Sequence, residues 1–465
     1  MNNKKLIFKP QRDHDPNILH ETLLRQGSFY VLAFLLVSAF SLNEVRAQGL
    51  SRDSVLKLED AYRLALTNSY QLKISDKNKA DARQQVEIVK DVRLPQIGTD
   101  LAFGYISSAD SWNPSFGDHS VSPIPHQFTA FSVQASQLIF KGREVKNTIK
   151  KSVLREEIAS LSNEKNQEDI KLLVAAKYLD IFRLVSQRKI YENNIRLTKN
   201  RLQNVLTMQK QGMVTQNDVL RTQLTISDLE LALRRNNNDM TILNSQLNLV
   251  TGRPDTAVLF PDSLLLQNRH ELRMMTEYQQ QAAISNKDLK ISGINNKIAA
   301  NEIALLESER LPQIFLYTRT NLQRPFTGVV PAVDIYSNVW QAGIGLHYNL
   351  SSTYTTSKKI KSGRIELAAA QDRETLEKQN LYSNVKAAFI KFKEAGEDLQ
   401  TLTSDLQSAE ENYRVVEKKY FNQLALLTDM IDATNTKIES ELKVTNARIN
   451  LEYTYCQLLY QTGTL

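Results

Sequence analysis

Two carboxylates three positions apart, Asp429 and Asp432, open a helical run at Thr428-Asp-Met-Ile-Asp432. Residues at i and i+3 share one helix face, so the pair presents two negative charges in one direction. The chemistry open to such a pair is electrostatic: it attracts cations, and crowded like charges raise one another's pKa values. The plainer role is that of acids at a helix N-terminus, where the helix dipole favours them. Acid–base or metal work needs partners, and the sequence supplies none nearby. The six histidines are His14, His20, His119, His126, His270 and His347, and they form no His-Glu-x-x-His. There is no phosphate-cradling glycine loop and no Gly-x-Ser-x-Gly. His119 and His126 share a polar loop, open either to a metal or simply to solvent. The single cysteine, Cys456, excludes a disulfide within the chain. The net charge of +7 is spread without a basic tract, which argues against nucleic acid. No enzyme activity, cofactor or resident metal is expected.

A second acidic reversal lies upstream, at Gln211-Gly-Met-Val-Thr-Gln-Asn-Asp218. Gly212 suits the positive φ that ends a helix. Thr215 and Asp218 have capping-box spacing, with Asp in place of Glu or Gln. The later reversal has Gln423 where the earlier one has glycine.

The elements that position these turns are long. Leu381, Val385, Ala388, Phe392, Ala395, Leu399, Leu402, Leu406, Ala409, Tyr413, Val416 and Tyr420 follow at alternating spacings of 4 and 3. That 3.5-residue period predicts a helix wound against other helices, ending at the acidic turn.

The chain is also duplicated. Leu72-Lys-Ile-Ser75 recurs as Leu289-Lys-Ile-Ser292, and Arg93-Leu-Pro-Gln-Ile97 as Arg310-Leu-Pro-Gln-Ile314, 217 positions on. Further along the offset is 211: Val133 matches Ile344, Asp218 matches Asp429, and Thr251-Gly252 matches Thr462-Gly463. The change falls between Ile97 and Phe128, where an insertion marks a loop. The predicted organisation is a secretory leader over 1–47, with a short membrane anchor as the alternative. A first repeat over 48–252, a linker over 253–272 that belts the helices, and a second repeat over 273–465 follow. Each repeat reads as a helix (69–92; 286–309) ended by Leu-Pro and a β-hairpin (97–140; 314–350). A very long helix (143–211; 355–421) and a return helix (216–250; 428–461) complete it. A long helix of this kind spans about 100 Å, more than a globular domain uses.

The strands alternate. Ile97, Leu101, Phe103 and Tyr105 oppose Gly98, Asp100, Ala102 and Gly104. Trp340, Ile344 and Leu346 oppose Gln341, Gly343 and Gly345. Such period-2 patterning suits a membrane barrel strand or a soluble sandwich with one wet face. Strand 314–322 is mixed, because Arg319 and Asn321 share a face with Phe315 and Tyr317. Four strands per chain leave open edges, which lipid does not tolerate; three chains supply 12.

The duplicated helix–hairpin–helix plan resembles the TolC family of outer-membrane efflux channels over essentially the whole mature chain. The densest local likeness is Tyr420-x8-Asp429-x2-Asp432-Ala433-Thr434. The resemblance implies a mainly α fold with a β-barrel part: a homotrimer with a 12-stranded outer-membrane barrel continued by a 12-helix periplasmic tunnel. It implies a passive gated conduit for small molecules or proteins. Its partners would be outer-membrane lipid, a periplasmic adaptor and an inner-membrane pump of RND or ABC type. Asp429 and Asp432 take the place of the family's aperture rings. Tyr420 takes that of a gate tyrosine hydrogen-bonded to the aspartate at Asp218. The tips at Gly212, Met213, Val214, Thr215, Gln423, Leu424 and Ala425 would meet the adaptor. The family's best-known member has an arginine in the second turn; here it is Ala425, so one closing link is missing. The reading outside this family is a secreted coiled-coil scaffold or adhesion protein without a pore.

Overall fold

The computed structural model describes residues 55–262, 265 and 270–465; the expected leader over 1–47 lies outside them. The first half contains helices α1 (Leu58–Asn68), α2 (Tyr70–Lys90), α3 (Glu144–Lys210) and α4 (Gln216–Thr251). The second contains α5 (Met275–Ser285), α6 (Lys287–Ser308), α7 (Ser352–Phe421) and α8 (Leu427–Thr462). The repeat is therefore visible in the backbone: α1 and α2 begin 217 residues before α5 and α6, and α4 spans the counterpart of α8, 211 residues on.

Two additions escaped the sequence pattern, a pair of short helices and an outer hairpin. The expected helices over 69–92 and 286–309 are each preceded by a separate helix, α1 and α5. The breaks fall at Ser69 and Asn286, whose ψ values of 123° and 128° leave the helical region. Asn286 caps α6, its side chain accepting from the Leu289 N–H at 3.0 Å. The other addition is an outer hairpin inside the inserted loop, β3 (Ala109–Trp112) with β4 (His119–Ser122). It has no apolar face to alternate. Asn113 Oδ1 organises its turn by accepting from the N–H groups of Ser115 and Gly117. His119 pairs with Asp110 at 2.9 Å.

The main sheet holds β2 (Gln96–Tyr105), β5 (Gln127–Lys141), β7 (Gln313–Arg324) and β8 (Ser337–His347), antiparallel throughout in the order β2-β5-β7-β8. Its register settles the mixed strand. Leu101, Phe131 and Leu322 lie in one cross-strand row, as do Thr99, Val133, Thr320 and Trp340. The opposite face carries Gly98, Gln134, Arg319 and Gln341 in one row and Asp100, Ser132 and Asn321 in another. Phe315 and Tyr317 thus lie on the polar face. They are accommodated because Gly345 and Gly343 stand opposite. A Cβ at Gly345 would come within 2.3 Å of the Phe315 ring.

Beneath the sheet the helices form one palisade. Near the sheet α3 lies between α2 and α6, with α7 beyond α6; further away α3 lies between α4 and α8, with α7 beyond α8. One edge of the protein is therefore β2 above α2 and α4, and the other is β8 above α7. At mid-height the core gathers Ile170, Val174, Tyr178, Ile181, Leu247 and Leu259. Tyr178 Oη donates to the Leu56 carbonyl at 2.7 Å and accepts from the Asp262 N–H at 2.9 Å. It thereby ties β1 (Val55–Leu56) and the strap through β6 (Phe260–Pro261) onto α3. Among the described residues no helix is long and apolar enough to cross a membrane.

Candidate functional site at the tip of the helices

The seam expected along α7 is real: none of its twelve residues is exposed, and Leu381, Val385, Phe392, Ala395, Ala409 and Tyr420 are buried. It leads to two turns built alike. In the first, Gly212 has φ +71° and the Met213 N–H donates to the Met208 carbonyl at 2.9 Å. In the second, Gln423 has φ +64° and the Leu424 N–H donates to the Lys419 carbonyl at 2.8 Å. A side chain thus holds a left-handed conformation that glycine adopts without penalty.

Each return helix is then capped by its own aspartate. Asp218 Oδ2 accepts from the Thr215 N–H and from Thr215 Oγ1, both at 2.8 Å, and the box closes through the Asp218 N–H to Thr215 Oγ1 at 3.3 Å. Asp429 Oδ2 accepts from the Leu426 N–H at 3.0 Å. Asp429 and Asp432 are both exposed, while Met430 between them is fully buried. The pair therefore points outward from the same face of α8, and the Asp432 carboxylate has no partner among the described residues.

Tyr420 sits in the apolar cluster under the turns with Val205, Val219, Leu427 and Met430. Burial lifts its pKa above the ordinary tyrosine range, the Asp218 charge adds to the rise, and Arg201 opposes it. Tyr420 and Asp218 are brought together, but the expected hydrogen bond between them is not formed. The Tyr420 hydroxyl is buried without a partner among the described residues, because the Asp218 carboxylate is turned back to cap its own helix. Ala425 is half-buried against the same cluster and offers no polar group.

The residue that sequence reading missed is Arg201, on α3. Only 4% of it is exposed. Nη1 donates to Thr434 Oγ1 on α8 at 3.0 Å, and Nη2 to Tyr413 Oη on α7 at 3.1 Å. The guanidinium carbon lies 5.8 Å from the Tyr413 ring centre, and Lys437 Nζ lies 4.7 Å from it. Tyr413 Oη in turn donates to Glu417 at 2.7 Å. One cation of the first hairpin thus grips both helices of the second. The available signal was a charged residue at a buried position of α3, between Thr198 and Val205.

The described residues hold no metal-ligating cluster. A four-stranded sheet with one mainly apolar and one mainly polar face, standing on helices of 67 and 70 residues, has the build of a membrane-channel subunit with a long helical stem. A family model described as outer membrane efflux protein matches residues 61–253 and 278–461. The chain belongs to that family, and its place is the bacterial outer membrane with a helical extension into the periplasm. It is similar to outer membrane protein TolC of Salmonella enteritidis, 20% identical over 421 residues, which is 88% of this chain and 82% of that protein. Among solved structures it is similar to CusC, with TM-score 0.72, 14% identity and coverage of 87% of this chain and 92% of that one. It is likewise similar to VceC of Vibrio cholerae, with TM-score 0.71, 11% identity and coverage of 87% and 96%.

Proposed function

We propose that this outer-membrane efflux channel subunit works as a homotrimer, in a tripartite efflux or type I secretion system. The observation that carries this reading is the pair of open edges. Strands β2 and β8 each leave one row of backbone N–H and C=O groups unpaired, on a sheet whose face bears Ile97, Leu101, Phe103, Trp340 and Ile344, all mostly exposed. Lipid tolerates such a sheet only when it closes on itself, and three copies give 12 strands around a polar lumen. A secreted scaffold without a pore needs neither the open sheet nor its apolar face.

Around a threefold axis Asp429 and Asp432 become two rings of carboxylates at the periplasmic entrance, attracting cations and repelling anions. Arg201, through Thr434 and Tyr413, and the packing of Tyr420 against Val205 and Val219 hold the two helical hairpins together behind those rings. The tips, with Met213, Leu424 and Leu426 exposed, meet a periplasmic adaptor that joins the duct to an inner-membrane pump of RND or ABC type. The pump supplies the energy and the duct is passive. Native mass spectrometry of the detergent-extracted outer-membrane fraction tests the assembly: a trimer that conducts ions in planar bilayers is expected. A water-soluble monomer would sink the proposal.

A further inference from the structure

Positive charge in this chain gathers where the sheet meets the stem. Residues 141–155, at the top of α3, hold six basic residues and one acid, and residues 352–364, at the top of α7, hold four basic residues and no acid. Together they exceed the chain's whole net charge of +7, so the remainder is net negative. The two stretches are counterparts under the duplication. Only Lys150 and Lys361 make one position basic in both, so the charge recurs on largely different residues.

The basic residues divide between two faces. Lys141, Lys151 and Lys359 line a cavity of about 620 Å³ together with Gln313 and His347. Gln313 and His347 stand opposite each other on the polar face of the sheet, so this side of the helices looks into the lumen. Here each lysine has its acid: Lys141 pairs with Glu144 at 2.8 Å, Lys151 with Glu302 at 2.5 Å and Lys359 with Glu309 at 2.7 Å. At 3.6 residues per turn, Lys146 and Lys150 lie on the far side of α3 from Glu144, Thr148 and Lys151. Lys361 and Arg364 likewise lie on the far side of α7 from Ser352, Thr355 and Lys359. Arg310 shares this outer side, donating to Ser357 Oγ on α7 at 2.6 Å. All five are exposed, and the side chains of Lys146, Lys150, Lys361 and Arg364 have no hydrogen bond or ion pair among the described residues.

Lower on the same helices the exposed basic residues do find acids one turn away, as in Arg183 with Asp180, Lys391 with Glu394 and Lys393 with Glu397. On the outer side of the collar the exposed acids are Glu157 and Glu307, and neither pairs with a collar residue. Lys146 and Lys150 are four apart and Lys361 and Arg364 three apart, spacings at which like charges destabilise a helix. An anion lying across each pair removes that repulsion. We infer that this outward collar binds the anionic headgroups of phospholipids, in the leaflet of the outer membrane that faces the stem. The inference rests on the closed-barrel reading and adds to it a lipid contact.

The collar begins where the apolar surface ends. Leu346, Leu350 and Tyr354, all exposed, carry that surface from β8 into the first turn of α7. Lys361 and Arg364 lie about 10–15 Å beyond Tyr354, and Lys146 and Lys150 about 8–14 Å beyond Lys141, at 1.5 Å per residue. Headgroups extend about 5–8 Å past the hydrocarbon core. The Cα–Cβ bonds of α3 and α7 tilt toward their N-termini, which here are the membrane ends, and long basic side chains reach toward the interface. The remaining gap is within the screening length of about 8 Å at physiological salt.

The test uses the purified full-length protein in phosphatidylcholine vesicles doped with spin-labelled lipid. Labelled phosphatidylglycerol should be held at the protein several-fold more strongly than labelled phosphatidylcholine, and raised salt should weaken the preference. Inorganic phosphate at matched ionic strength should not displace the lipid; displacement would mark a free-anion site and overturn the proposal. Changing Lys146, Lys150, Lys361 and Arg364 together to Gln should bring the ratio close to one and leave single-channel conductance unchanged. Lys150→Gln with Lys361→Gln should give an intermediate ratio. Arg155→Gln, one turn below Lys151 on the lumen side, should keep the full preference. A wild-type preference in the four-site variant would overturn the proposal. So would an altered conductance, which would place the four residues in the lumen. Failure of the wild-type protein to enter vesicles would instead overturn the closed-barrel reading, which separates the two failures.

Discussion

Replacing Arg201 by methionine removes a cation that joins α3 to both α7 and α8 while keeping an unbranched side chain of similar reach. The bonds lost are those to Thr434 at 3.0 Å and Tyr413 at 3.1 Å. Hydrogen bonds to charged groups contribute about 1.5–3 kcal/mol each, and a buried unsatisfied donor costs about 1–3 kcal/mol. The two bonds act together, and the buried Nε of Arg201, without a partner among the described residues, offsets part of their gain. The net hold is therefore about 1–3 kcal/mol per subunit. The substitution strands no other group. Thr434 Oγ1 still donates to the Met430 carbonyl at 2.7 Å, and Tyr413 Oη still donates to Glu417 at 2.7 Å. The effect should therefore fall on how tightly the two hairpins are held, with the fold intact. Since 1.4 kcal/mol is a factor of ten, the open fraction of single channels in planar bilayers should rise at least about fivefold. Thermal unfolding of the trimer should shift little. Arg201→Lys should not rescue it, because an ammonium does not present the planar fork that reaches two helices. An unchanged open fraction in a correctly assembled Arg201→Met trimer would refute the reasoning.

Three further outcomes follow from the tips and the core. Gln423→Gly relieves a left-handed side chain, a strain of about 1–2 kcal/mol, and should raise the thermal midpoint; a lowered midpoint would show that the side chain contributes more than its strain costs. Asp429→Asn with Asp432→Asn should weaken cation selectivity in bilayers, read as a reversal-potential shift under a salt gradient; an unmoved reversal potential would remove the ring assignment. Cys456 is buried and its thiol is pushed up to about 11 by burial. At pH 8 only about one thiol in a thousand is then ionised, and the thiolate is the reactive form. Alkylation should be slow in the folded protein and fast after denaturation; rapid labelling of the native trimer would contradict the buried placement.

The long helices were legible because their apolar positions repeat without interruption, so period alone places the seam from Leu381 to Tyr420. The capping box at Thr215 and Asp218 was legible for a related reason: its partners are three residues apart. The helices α1 and α5 were not, because a single turn of backbone at Ser69 or Asn286 separates them from α2 and α6 without proline or glycine. Gln423 hid its conformation, since nothing about glutamine announces a positive φ; only its alignment with Gly212 hinted at it. The expected bond from Tyr420 to Asp218 was misplaced because the Asp218 carboxylate had a competing donor in its own turn.

By itself the sequence determined the duplication, the strand–helix order, the length of the stem and the position of the acidic turns, because these depend on periodicity and on contacts between near neighbours. The tertiary structure decided which residues share a face with Arg319 and Asn321 of β7, that Arg201 rather than residue 425 clasps the two hairpins, and that the protein ends in two unfilled edges. Those outcomes depend on registers and side-chain approaches between segments far apart in the chain, such as β5 with β7 and Arg201 with Tyr413 and Thr434. No local pattern encodes such approaches; only the packed chain brings the groups together.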